Sequence, residues 1–114
     1  MVKTKLLFIC TANVNRSRTA EDLFKDSERY EVQSAGLIKH DLGGQVVTQE
    51  LIDWADRIFV MDEERDCHLT KLSLEFDTNG KRINILDIPD VYLRGDLILI
   101  EILKQRLGSF GILT

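Results

Sequence analysis

Strand-like runs alternate with helix-patterned segments along this chain, and that alternation limits the folds open to it more than any other feature. Lys5 to Cys10 is a short continuous apolar run, as expected of a strand buried on both faces, and residues 19–25 then carry Ala20, Leu23 and Phe24 at helical spacing. Tyr30 to Ser34 alternates weakly and reads as a second strand, followed by a loop that runs to Gly44. Val47 to Ala55 places Val47, Leu51 and Trp54 on one helix face, with Trp54 expected in the core. Arg57 to Met61 is a third strand, and Asp62 can cap a helix over Glu63 to Leu72. Ile83 to Ile88 is a fourth strand. Asp96 caps a last helix with Leu97, Ile100, Leu103 and Leu107 on its buried face and Gly108 at its end. Such alternation predicts an α/β fold of three layers, with a four-stranded parallel sheet between helices. Ligands bind beyond the carboxyl ends of such strands, where Cys10, Ser34, Met61, Asp62 and the segment from Asp87 to Asp90 fall.

A length of 114 residues with 44% hydrophobic and 30% charged residues fits one domain over residues 1–114. The net charge of -4 argues against nucleic acid as a partner, because binding to its backbone rests on clustered Lys and Arg. The apolar run near the amino terminus is too short for a signal peptide or a membrane span, so a cytoplasmic protein is expected, with Cys10 and Cys67 as reduced thiols.

Between the first strand and its helix lies Cys-Thr-Ala-Asn-Val-Asn-Arg-Ser, residues 10–17. A loop leaving a buried strand for a helix can turn successive backbone N–H groups toward one point, to which the helix start adds the positive end of its dipole. Thr11, Ala12, Asn13, Val14 and Asn15 would thus line an anion cradle. A cysteine at the strand end of that cradle is favoured as the nucleophilic thiolate. The guanidinium of Arg16 can grip two oxygens of a phosphate at once. Ser17 can donate to the sulfur and cap the helix, and Asn13 suits an interior strut because it tolerates left-handed backbone.

This Cys-x5-Arg-Ser arrangement resembles the phosphate loop of protein tyrosine phosphatases. Its place at the end of the first strand, with Arg-Thr-Ala-Glu-Asp-Leu-Phe after it, is similar to the low-molecular-weight family. Ser34-Ala35-Gly36, Ile58 to Glu64, and the segment Asp90-Val91-Tyr92-Leu93-Arg94-Gly95-Asp96 resemble further family segments in the same order. The resemblance makes Asp90 the general acid, with Asp87 as the less favoured substitute, Ser34 a partner of Asn13, and Tyr92 a residue flanking the substrate. The chain departs from the family pattern as well. The segment from Ser34 to Ile58 is short, which implies an open pocket with His40 near the usual aromatic wall. Val91 and Leu93 replace Pro and Tyr, Thr11 takes a position that is usually apolar, and Asn15 stands where many relatives carry a second cysteine.

The resemblance implies a cysteine-dependent phosphatase acting on phosphotyrosine or another aryl phosphate, with Cys10, Arg16 and Asp90 as catalytic residues and no metal or cofactor. The expected partners are a phosphorylated protein or a small aryl phosphate. Two other readings stay open: a phospho-binding module with little turnover, and an arsenate reductase. Cys67 alone cannot complete a three-thiol relay with Cys10, so the reductase would need an external thiol. His40 and His68 read as lone histidines, and Cys67 as part of a solvated face.

Overall fold

The computed structural model describes residues 2–114. In chain order the elements are β1 (Thr4–Cys10), α1 (Arg16–Leu23), β2 (Tyr30–Gly36), α2 (Gln49–Trp54), β3 (Arg57–Val60), α3 (His68–Glu75), β4 (Arg82–Ile85) and α4 (Leu97–Ser109). All strand pairs are parallel, in the order β2-β1-β3-β4.

β1 is the central strand because its side chains can be buried on both faces. Leu6, Phe8 and Cys10 point into one core with Ala20 and Phe24 of the α1 region and with Leu99, Leu103 and Leu107 of α4. Leu7 and Ile9 point into the other, with Leu51 and Ile52 of α2 and Leu72 of α3. Leu6, Leu7, Phe8 and Ile9 are completely buried, and each contributes about 1.5–3 kcal/mol relative to an exposed side chain. Trp54 packs at the edge of the second core, with Lys5 Nζ 5.9 Å from its ring centre. The chain crosses from β1 outward to β2 and then back past β1 to β3. This reversal opens a crevice beyond the carboxyl end of β1, where the loop of residues 11–15 lies.

The expected three-layer architecture is present, but several elements differ from their sequence-based bounds. The helix expected over Glu63 to Leu72 begins only at His68. The Asp62 carboxylate instead accepts the N–H groups of Arg65 and Asp66 and closes a turn, and Cys67, at φ 54°, takes a left-handed conformation that interrupts any helix there. In α4 the buried stripe includes Leu99, Leu103 and Leu107, whereas Leu97 is 78% exposed. The run Leu97-Ile98-Leu99-Ile100 is apolar all round, so spacing alone could not choose its buried face. Gly108 lies inside α4, and the chain turns at Gly111, φ 80°, after which Ile112 donates back to Leu107 O. Asp96 is the N-cap, its carboxylate accepting from Ile98 N at 2.7 Å.

β4 is shorter than expected. Its pairing continues past its end, because Leu86 N donates to Val60 O and Ile88 N to Met61 O. That continuation carries the segment from Ile88 to Asp90 to the mouth of the crevice.

Candidate active site

Four carbonyl groups around the loop are satisfied by backbone N–H groups of neighbouring segments. Cys10 O accepts from Leu37 N at 3.1 Å, Thr11 O from Ile38 N at 2.9 Å, Asn13 O from Gly44 N at 3.2 Å and Asn15 O from Thr19 N at 2.9 Å. Among the described residues, none of the backbone N–H groups of residues 11–15 has a protein acceptor. The loop amides are thus left without protein acceptors, as an anion cradle requires. Close approach of the following segment requires glycine. A Cβ on Gly36 would lie 2.7 Å from Ala12 C, and one on Gly44 would lie 2.3 Å from Asn13 Oδ1.

Asn13, at φ 54°, has the left-handed backbone expected of the strut. Its Nδ2 donates to Ser17 Oγ at 2.7 Å and to Ser34 Oγ at 2.9 Å, while its Oδ1 accepts from Gln45 N. Ser34 in turn donates to Glu21 Oε1 at 2.7 Å. Ser17 Oγ, which accepts from Asn13, lies 2.9 Å from Cys10 Sγ, so its own proton can be donated to the sulfur. Ser17 does not cap α1: Arg16 is its first residue, and Asn15 occupies the N-cap position with no side-chain cap.

Arg16 is 1% exposed, among the largest fully buried side chains of the protein. Nη1 is committed to Ile88 O at 2.9 Å and to an ion pair with Asp66 Oδ2 at 2.8 Å. Nη2 has only a long contact to Thr11 Oγ1, 3.5 Å, and the buried Nε has no hydrogen-bond partner. One edge of the guanidinium is therefore fixed to the protein. The other makes only long contacts, Nη2 to Thr11 and Nε to Asp90.

Cys10, Thr11, Ala12, Val14, Asn15, Arg16 and Asp90 line one open cavity of about 410 Å³, together with Ile38, His40 and Leu42. His40 thus lies in the wall, as the shortened segment implied. Asp90 Oδ1 is 3.6 Å from Arg16 Nε, and its side chain is 56% exposed. Asp87 is engaged elsewhere, accepting from Arg65 Nη2 at 3.0 Å. Tyr92 is not among the lining residues; it packs against the core beside α4, because Val91 and Leu93 on either side turn outward. Asn13, Ser17 and Ser34 stand behind the loop.

Several contributing residues were not legible from the sequence. His68, read as a lone histidine, is completely buried, with Nε2 2.9 Å from Thr11 Oγ1 and Nδ1 3.0 Å from Asp62 N. Burial first, and then the charge of Arg16, push its pKa down to about 4, although Asp66 and Asp62 act in the opposite direction. Burial opposes ionisation at Asp62, but the N–H groups of Asp66 and Arg65 and the Arg65 guanidinium outweigh it and hold the carboxyl below its usual range. Its place six residues beyond Asp62, at a strand end facing the cradle, was the available signal for His68. Asp66 and Arg94 had none. Among the described residues, no group of three or more His, Cys, Asp or Glu side chains could hold a metal ion. Nor does any helix there have the length and apolarity to cross a membrane.

The fold and the loop together define a three-layer α/β domain with a Cys-x5-Arg-Ser loop at the end of its first strand. Residues 5–51 match the family model described as low molecular weight phosphotyrosine protein phosphatase. The structure is similar to a low-molecular-weight phosphotyrosine phosphatase of Vibrio cholerae, with a TM-score of 0.72 and 22% identity, covering 95% of this chain and 96% of that one. It is also similar to Wzb of Vibrio vulnificus in complex with benzylphosphonate, with a TM-score of 0.73 and 20% identity over 96% and 97% of the two chains. The tyrosine phosphatase Wzb of Escherichia coli in complex with phosphate gives 0.71 and 22%, over 96% of each. No match is found among curated protein sequences. The chain therefore has the low-molecular-weight tyrosine phosphatase fold, and its first 51 residues include that family's sequence pattern.

Proposed function

We propose that this protein hydrolyses phosphate monoesters, aryl phosphates such as phosphotyrosine among them, through a phosphocysteine at Cys10. The observation that carries this reading is the half-committed guanidinium of Arg16: buried, fixed along Nη1, and presenting an Nε with no hydrogen bond, only a loose ion pair to Asp90, beside loop amides without acceptors and a nucleophilic sulfur. Related folds hold phosphate in one case and benzylphosphonate in another, which supports a tetrahedral anion as the occupant of this loop.

In the first step Cys10 Sγ bonds to phosphorus and the ester P–O bond breaks, the leaving oxygen taking the proton of Asp90. In the second, water bonds to phosphorus as the S–P bond breaks, and its proton passes to the Asp90 carboxylate. The loop amides and Arg16 hold the charge on the equatorial oxygens, where preorganised donors supply most of the rate enhancement. Ser17, donating to the sulfur, stabilises it as nucleophile and as leaving group.

Hydrolysis of an aryl phosphate by wild type, Cys10→Ser and Asp90→Asn tests this. Wild type should exceed both variants, Cys10→Ser being inactive. A wild type no faster than Cys10→Ser removes the enzyme, and phosphate binding retained in that case identifies a phospho-binding module.

A further inference from the structure

Thr11 lies one residue past Cys10, among the residues that line the cavity. Its hydroxyl oxygen has two neighbours, His68 Nε2 at 2.9 Å and Arg16 Nη2 at 3.5 Å. Arginine has only donors. The role of His68 follows from its other nitrogen. Nδ1 lies 3.0 Å from the backbone N–H of Asp62, which can only donate, so Nδ1 is the acceptor. A neutral imidazole carries one proton, and here it must sit on Nε2. His68 therefore donates to Thr11 Oγ1.

Both neighbours of the hydroxyl are donors, and among the described residues it has no acceptor. The hydroxyl hydrogen is therefore unclaimed, and Thr11 is among the residues lining the cavity. The contact also spans the fold, because Thr11 follows β1 and His68 opens α3. A buried ring is thus spent on orienting one hydroxyl beside the nucleophile.

We propose that the Thr11 side chain donates a hydrogen bond to the oxyanion bound in the loop, and that His68 is a positioning residue that turns the Thr11 hydroxyl hydrogen toward it. The inference rests on the phosphatase reading only in taking a tetrahedral oxyanion as the occupant; it does not require turnover. An apolar residue at this position would leave binding to the backbone amides and Arg16. Thr11 adds a side-chain donor to the cradle, and His68 gives that donor a single direction.

The test measures inorganic phosphate binding by calorimetry in the Cys10→Ser background, with aryl phosphate kinetics in the parent protein alongside. Thr11→Val, nearly the same shape, should weaken phosphate about tenfold, the loss of one hydrogen bond to a charged group. Thr11→Ser should stay within about threefold of wild type. His68→Leu should weaken phosphate as Thr11→Val does, whereas His68→Gln, which retains a donor near the Nε2 position, should restore most of the affinity. The long-range 1H–15N spectrum should show His68 as the Nε2–H tautomer, a readout that survives if a His68 variant fails to fold. Phosphate affinity unchanged in Thr11→Val, or the Nδ1–H tautomer, overturns the proposal. Absence of aryl phosphate turnover together with Thr11-dependent phosphate binding would remove the phosphatase reading and keep this one. Intact turnover with Thr11-indifferent binding would do the reverse, and a wild type that binds no phosphate ends both.

Discussion

The backbone N–H of Arg94 donates to Asn15 Oδ1 across 3.0 Å, joining two segments 79 residues apart in the chain. The same junction is held by Gly95 N on Thr19 Oγ1 at 3.1 Å and by the paired contacts of Arg94 with Asp22, both at 2.9 Å. Asn15 therefore has work of its own within the loop. It ties the segment bearing Asp90 to the loop.

Asn15→Ala should loosen that tie and misplace the proton donor without disturbing the nucleophile. Hydrolysis of phenyl phosphate, whose leaving group needs protonation, should fall about tenfold, less than the ~10²–10⁴ of a lost general acid. With p-nitrophenyl phosphate, whose leaving group departs unaided, the loss should be slight. Equal losses on the two substrates would show that Asn15 acts on the loop rather than on Asp90.

Arg16→Lys keeps the charge but loses the fork that allows one edge to hold Ile88 O and Asp66 while the other faces the cavity. Turnover should drop by about 10²-fold or more, as for loss of a preorganised donor to the transition state. Circular dichroism should remain that of the folded protein. Near wild-type turnover in this variant would take Arg16 out of the site.

Gly36→Ala tests the close approach of β2 to the loop. Its Cβ would meet Ala12 C at 2.7 Å and Asn13 N at 2.8 Å, both backbone atoms that cannot move aside cheaply. The expected cost is about 1–3 kcal/mol in chemical denaturation, together with weakened phosphate binding. Unchanged stability and phosphate affinity would mean that the loop shifts freely.

Acid should destabilise the protein through His68. Its pKa is about 4 in the folded state against an ordinary value of 6.5, so the unfolded chain binds the extra proton between those two values. The stabilisation is complete above about pH 6.5 and is lost as pH falls toward 4, an effect on the order of 3 kcal/mol. The lowered pKa of Asp62 extends the loss to more acid conditions. Unfolding free energy followed against pH should show this slope in wild type and lose most of it in His68→Gln. A parallel slope in both would assign the acid sensitivity to other groups.

The order of strands and helices was legible because period and apolarity are local properties. A fully buried β1 must read as a continuous apolar run, and Asp96 caps α4 whatever the fold around it. The loop of residues 10–17 was legible for the same reason. Cys10, Arg16 and Ser17 belong to one short segment, and the left-handed Asn13 that braces it is encoded within that segment. Contacts between distant segments were not. Leu97 and Leu99 are the same residue type in one apolar run, and only the sheet against which α4 packs decided that Leu99 is buried and Leu97 exposed. Tyr92, which the resemblance set beside the substrate, is half-buried and packs against the core. His68 had the sequence surroundings of a charged surface turn. It became a buried, neutral partner of Thr11 because the turn closed by Asp62 and the left-handed Cys67 swing it toward the end of β1. Sequence determined which chemical groups the loop carries, through short-range backbone preferences. Tertiary packing decided which distant side chains orient them, since such contacts depend on how the strands and helices are placed around one sheet.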